Sequence, residues 1–123
     1  MIRHLLAPAQ ILCATTLAAA PADVVAVDIA RNTDGSYRVA VTIASDETGW
    51  DKYADKWEVL GPDGTVLGTR ILHHPHANEQ PFTRALPALD LPPTISEIRV
   101  RAHDSVEGFG GIEQVVPVPP IRP

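Results

Sequence analysis

Residues 36–44, SYRVAVTIA, alternate apolar and polar side chains without a break. Tyr37, Val39, Val41 and Ile43 fall on one face, and Ser36, Arg38, Ala40 and Thr42 on the other. Successive side chains of a strand project to opposite faces, so this pattern predicts a β-strand with one face buried and one wet. The period recurs at residues 97–103, EIRVRAH, where Ile98, Val100 and Ala102 alternate with Arg99, Arg101 and His103. Weaker versions are VVAVDIA (24–30), DKWEVL (55–60), TVLGTRIL (65–72), FTRALPAL (82–89) and IEQVVPV (112–118). No stretch carries the three-to-four spacing of an amphipathic helix.

The segments between these runs are turn-forming. RNTDGS precedes Tyr37 with an Asp-Gly pair, and Gly61-Pro62-Asp63-Gly64 separates the third run from the fourth, so both predict tight hairpins. About seven short strands in roughly 100 residues predict an all-β fold, a single immunoglobulin-like (fibronectin type III-like) antiparallel β-sandwich. Trp57 takes the place of the buried aromatic on its third strand. The cysteine pair of antibody domains is absent, so Val, Ile and Leu on the two inner faces must supply most of the stabilisation.

The first 22 residues stand apart. Arg3 and His4 lead into LLAPAQILCATTLAAA, an apolar run too short and too interrupted by Pro8 and Gln10 to span a bilayer. It reads as a signal peptide, residues 1–22, with cleavage after Ala20-Pro21-Ala22 and a mature N-terminus at Asp23. The sandwich is then expected over 23–118, with a proline-rich tail at 119–123, and the localisation is periplasmic or secreted. Cys13, the only cysteine, lies inside the leader and follows Leu12 rather than a small residue, so no disulfide and no lipid anchor are expected after cleavage. Loss of Arg3 takes the formal net charge from −5 to −6, which argues against nucleic acid and against an anionic membrane surface as partners.

Strand direction gives these residues a geography. If antiparallel strands alternate, the connections SDETGWDKYA, HHPHANEQP and DSVEGFGG share one pole of the sandwich. They carry His73, His74 and His76, flank His103, and hold Trp50, Tyr53 and Phe109, whereas the other pole has GPDG and DLPP. Loops at one end of a sandwich are where such folds carry binding surfaces. His74 and His76, two residues apart around Pro75, can present both imidazoles to one side. Together with His103 and the carboxylates of Glu79, Asp104 or Glu107 they form a candidate site for copper or zinc, since imidazole with carboxylate suits Zn²⁺ or Cu²⁺. The alternative is a protein-interaction or accessory module with no metal, in which Trp50, Tyr53 and Phe109 contact a partner and the histidines form a polar rim. Arg84 is expected to pair with a loop carboxylate such as Glu79, and the loop glycines to serve turns.

Enzymatic chemistry has little to stand on, and no catalytic residue is assigned. Ser105 and Ser45 are the serines at this pole, and neither lies on a strand-to-helix elbow. A cysteine nucleophile is missing downstream of the leader, and GFGG precedes no helix that could cradle a phosphate.

The stretches TGWDKYADKWEVLGPDGTVLGTRIL, HPHANEQPFTR and VRAHDSVEGFGG resemble a family of small exported bacterial proteins of unknown function that share an HPHxxEQPFTR loop motif. The likeness covers most of the chain beyond the leader. It implies an exported sandwich domain and brings no established activity. The resemblance implies histidine at the positions of Lys52 and Glu107, so against that pattern this chain lacks two possible ligands and places an ammonium near any bound cation.

Overall fold

The computed structural model of the chain describes residues 20–120. Among the described residues there are seven strands and no helix: β1 (Asp23–Arg31), β2 (Tyr37–Ala44), β3 (Ala54–Leu60), β4 (Val66–Ile71), β5 (Phe82–Leu89), β6 (Glu97–Asp104) and β7 (Gln114–Pro117). All pairings are antiparallel, in a three-stranded sheet of order β1-β2-β5 and a four-stranded sheet of order β4-β3-β6-β7. The all-β sandwich expected from the alternation is therefore the fold. The expected leader over residues 1–19 lies outside the described residues, as do residues 121–123 of the tail.

Both predicted hairpins form, and they are built alike. Asp34 Oδ1 accepts the amide and hydroxyl of Ser36 at 2.9 and 2.6 Å, and Asp63 accepts the amide and hydroxyl of Thr65 at 3.0 and 2.9 Å. The intervening Gly35 and Gly64 have φ of 92° and 86°, a region costly for residues with a Cβ. Each turn thus needs aspartate followed by glycine. Those hydrogen bonds hold both carboxyl groups below the usual aspartate range.

The two inner faces meet as the period-two pattern requires. Tyr37, Val39, Val41 and Ile43 of β2 are buried, as are Trp57 and Val59 of β3 and Ile98, Val100 and Ala102 of β6. Trp57 is opposite Ala102, a large residue facing a small one, and Val59 is opposite Val100. Phe82, opposite Ile43, closes the core toward the histidine-bearing loop. Burying each such side chain contributes on the order of 1.5–3 kcal/mol, which is how a domain without disulfides holds together. Pro87 and Pro117 are on β5 and β7, strands at the edges of their sheets, where a missing N–H costs little.

The outer face of the four-stranded sheet is less wet than alternation alone suggests. Glu58 is buried there beneath Arg101, which donates to Glu58 Oε1 from Nη2 at 2.8 Å and from Nε at 3.0 Å. The same guanidinium lies 3.8 Å from the centre of the Phe109 ring. Folded chain also begins ahead of the expected boundary, because Ala22 has no exposed surface and belongs to the core cluster.

Candidate functional site

The three loops expected to share a pole are bonded to one another there. The β2–β3 loop lies between the other two. On one side, Glu47 Oε1 accepts the His76 amide at 2.7 Å, and Gln80 spans back to Ser45, accepting its amide through Oε1 at 2.8 Å. Gln80 Nε2 donates to the His76 carbonyl at 3.1 Å and to Glu47 Oε2 at 3.3 Å, while the Ser45 hydroxyl donates to Glu47. On the other side, the Tyr53 carbonyl accepts the Ser105 amide at 2.8 Å, and the Ser105 hydroxyl accepts the Tyr53 amide at 3.1 Å. The pole is a braced unit rather than three independent loops.

Within it, Trp50 is the most exposed large apolar residue, 69% exposed, with its ring edge-on to Tyr53 at 5.7 Å. Gly49 and Trp50 together with residues 74–79 line an open cleft of about 520 Å³. The cleft offers an indole face, the rings of His74 and His76, the ring of Pro75, the Asn78 amide and the Glu79 carboxylate. That mixture suits a ligand or segment with one flat apolar face and hydrogen-bonding groups at its rim.

The expected ligand set does not assemble. His74 and His76 stay neighbours, with ring centres 6.2 Å apart. His103 does not line the cleft with them: its Nδ1 lies 2.6 Å from Asp55 Oδ1, and its ring is edge-on to Phe109 at 4.7 Å. Asp104 is fully buried, and its Oδ2 accepts a 2.6 Å hydrogen bond from Lys52, so it cannot turn toward an ion. Glu79 pairs with Arg84 at 3.4 Å, as the sequence led us to expect. Among the described residues, no three histidine, aspartate, glutamate or cysteine side chains are grouped to hold a metal ion. The aromatic set divides as well. Trp50 and Tyr53 touch, while Phe109 packs on the sheet face between His103 and Arg101.

Three features of this pole escaped the sequence. Glu47 braces the histidine loop from outside any motif, and Gln80, although it lies within the HPHxxEQPFTR stretch, carries no local sign that it reaches Ser45 and Glu47. The Lys52–Asp104 pair joins residues 52 positions apart. Its one sequence signal is Lys52 itself, a lone cation in the otherwise acidic loop SDETGWDKYA. The Asp55–His103 bond follows from neighbouring strands: Asp55 adjoins Lys56, whose register partner is His103.

His76 is the histidine whose chemistry the fold alters most. Its ring stacks on Phe82, with centres 4.0 Å apart and planes at 12°, and its Nδ1 is buried without a hydrogen-bond partner. Burial lowers its pKa below 6.5, the Arg84 and His74 charges act in the same direction, and Glu47 and Glu79 oppose them. The unfolded chain therefore binds a proton at this residue at a higher pH than the folded one. Stability should be full above about pH 6.5 and fall as pH drops toward the lower folded-state value. Urea unfolding at pH 7.5 and 5.5 is expected to show this loss, and His76→Phe, which keeps the stack without the titrating group, is expected to reduce it. An equal loss in parent and variant would assign the slope to other groups.

No known protein-family profile and no solved structure match the chain. It is similar to a protein of Halomicrobium mukohataei described as "Putative lipoprotein", with 38% identity over 92 residues. The match covers 73% of this chain and 45% of the relative, so the chain spans less than half the length of the protein it resembles.

Proposed function

We propose that the chain is an exported β-sandwich binding module, periplasmic or secreted, whose recognition surface is the cleft between Trp50 and the 74–79 loop. The observation that carries this reading is the 69% exposure of Trp50 beside a rigidly braced cleft. A single exposed apolar residue needs no partner, but tryptophan is among the residues that most often anchor interfaces, and here it stands at the wall of a cleft with polar groups at its rim. The leader-like N-terminus and the "Putative lipoprotein" description of the relative support the export part. The strand order supports a fibronectin type III-like variety of the sandwich. The fourth strand joins β3, β6 and β7, whereas in immunoglobulin constant domains it joins the first, second and fifth strands. The copper or zinc reading retains His74, His76 and Glu79, which line the cleft together, because His103 is not among the residues lining it and Asp104 is buried against Lys52.

A photo-cross-linking residue at Ala77, in the cleft, tests the reading in cells that export the chain. It is expected to give a discrete adduct, whereas the same residue at Asp63, in the β3–β4 turn at the other pole, is expected to give none. Trp50→Ala should remove the adduct and change stability by no more than about 0.5 kcal/mol, the usual limit for an exposed position. An adduct unaffected by Trp50→Ala would refute the assignment of the cleft. A melting temperature raised by Zn²⁺ or Cu²⁺ in the parent and not in His74→Ala would favour the metal reading instead.

A further inference from the structure

The motif Ala20-Pro21-Ala22 reads as a cleavage signal in the sequence, yet in the structure it is part of the folded domain. Ala22 is fully buried within the core cluster. Its carbonyl group packs directly on Gly111: a Cβ built on Gly111 would stand 1.9 Å from the Ala22 oxygen and 2.7 Å from its carbonyl carbon. Gly111 has no left-handed φ, so this close approach, rather than a turn, is what requires glycine. The next residues are tied to the same loop. Asp23 Oδ1 accepts the Ile112 amide at 2.7 Å, the Val24 amide donates to the Ile112 carbonyl at 2.8 Å, and Gln114 Nε2 donates to the Val24 carbonyl at 3.1 Å. The Ala20 carbonyl accepts a 3.0 Å hydrogen bond from Lys52 Nζ, the ammonium that also pairs with Asp104.

Cleavage between Ala22 and Asp23 would therefore delete a core residue and open space over Gly111. It would also remove one of two acceptors from a buried ammonium, a group that is costly to leave underbonded. We propose that the exported protein keeps Ala20–Ala22 as a latch across the β6–β7 loop, and that the leader is cut upstream. Thr16-Leu17-Ala18 supplies small residues one and three positions before such a cut, which would leave Ala19 at the mature N-terminus. The proposal rests on the export reading above, and its test separates the two.

The full chain, produced in a bacterium with its own leader, is recovered from the exported fraction and its intact mass is measured. The expected mass is that of a chain beginning at Ala19, and any start from Ala14 to Ala20 agrees with retention of the latch. A chain beginning at Asp23 would overturn retention while leaving export intact, and one beginning at Met1 would overturn the leader reading itself. A second measurement compares purified forms beginning at Ala19 and at Asp23. The shorter form is expected to melt about 5 °C or more below the longer, or not to fold, as removal of buried contacts from a domain this size would cause. Gly111→Ala is expected to lower the melting temperature of the longer form, because the new methyl group meets the Ala22 carbonyl. Equal melting of the two forms would overturn the latch.

Discussion

Trp57→Ala is expected to destabilise the domain by about 3–5 kcal/mol, the usual cost of emptying a large aromatic site in a core. Trp57 has no exposed surface, faces Ala102 across β3 and β6, and belongs to the cluster that includes Val39, Val41, Ile43 and Phe82. Small neighbours such as Ala102 and Ala54 cannot expand into the space, so the cavity should persist rather than collapse. Trp57→Phe provides the contrast. The indole Nε1 is buried without a hydrogen-bond partner, so phenylalanine gives up ring volume but relieves an unmet donor. Its cost should be well under half that of the alanine variant. Denaturant titration of both variants, with unchanged slopes to confirm that the same surface is exposed, measures this. An alanine variant as stable as the parent would mean that the core is not organised around Trp57.

That residue was legible in the sequence because its burial follows from local information. Trp57 and Val59 alternate with charged residues, and the same arithmetic identified the inner faces of β2 and β6 before any pairing was known. The hairpins were legible for a similar reason, since Asp34-Gly35 and Asp63-Gly64 carry their turn chemistry within a few positions. Alternating strand direction was then enough to gather the three distinctive loops at one pole. What a side chain does once it arrives there depends on contacts with distant residues. His103 and Asp104 adjoin the histidine loop in any such sketch, and on that ground alone they read as ligands. The structure shows that each has already found a partner on β3 or in the loop before it, Asp55 for one and Lys52 for the other. A register irregularity between Ala54 and Lys56 lies at that junction, and no pattern in the sequence announces it. Ala20-Pro21-Ala22 shows another limit of local reading. Small residues satisfy a peptidase cleft and a crowded core equally well, so composition alone cannot tell the two uses apart.

The second large effect is expected at Asp104. Its Oδ2 accepts from Lys52, and its Oδ1 accepts the amides of Val106 and Glu107 at 2.8 and 2.9 Å, so one buried carboxylate anchors the end of β6, the loop beyond it and the β2–β3 loop. Asp104→Ala would leave a buried ammonium with the Ala20 carbonyl as its remaining partner and would free two amides, at a cost of about 3–5 kcal/mol. The double variant Lys52→Met with Asp104→Asn buries no charge, and the asparagine oxygen can still accept both amides. It is therefore expected to cost less than the sum of Lys52→Met and Asp104→Asn made singly, a non-additivity that contacting residues show and distant ones do not. Acid should reveal the same pair. Burial acts to raise the Asp104 pKa, but the Lys52 hydrogen bond, the Glu107 and Val106 amides and the Lys52 charge outweigh it, so the folded value lies below 3.8. A carboxyl group with a depressed folded-state pKa contributes stability that is present above about pH 4 and is lost as pH falls through that lower value. Urea unfolding between pH 5 and 2.5 should show the parent losing this contribution and the double variant losing less, because the variant has no carboxyl at this position. If the two curves stayed parallel over that range, and Asp104→Ala cost under about 1 kcal/mol, the pair would be a bystander and the pole would have to be braced through Glu47, Gln80 and the Tyr53–Ser105 bonds.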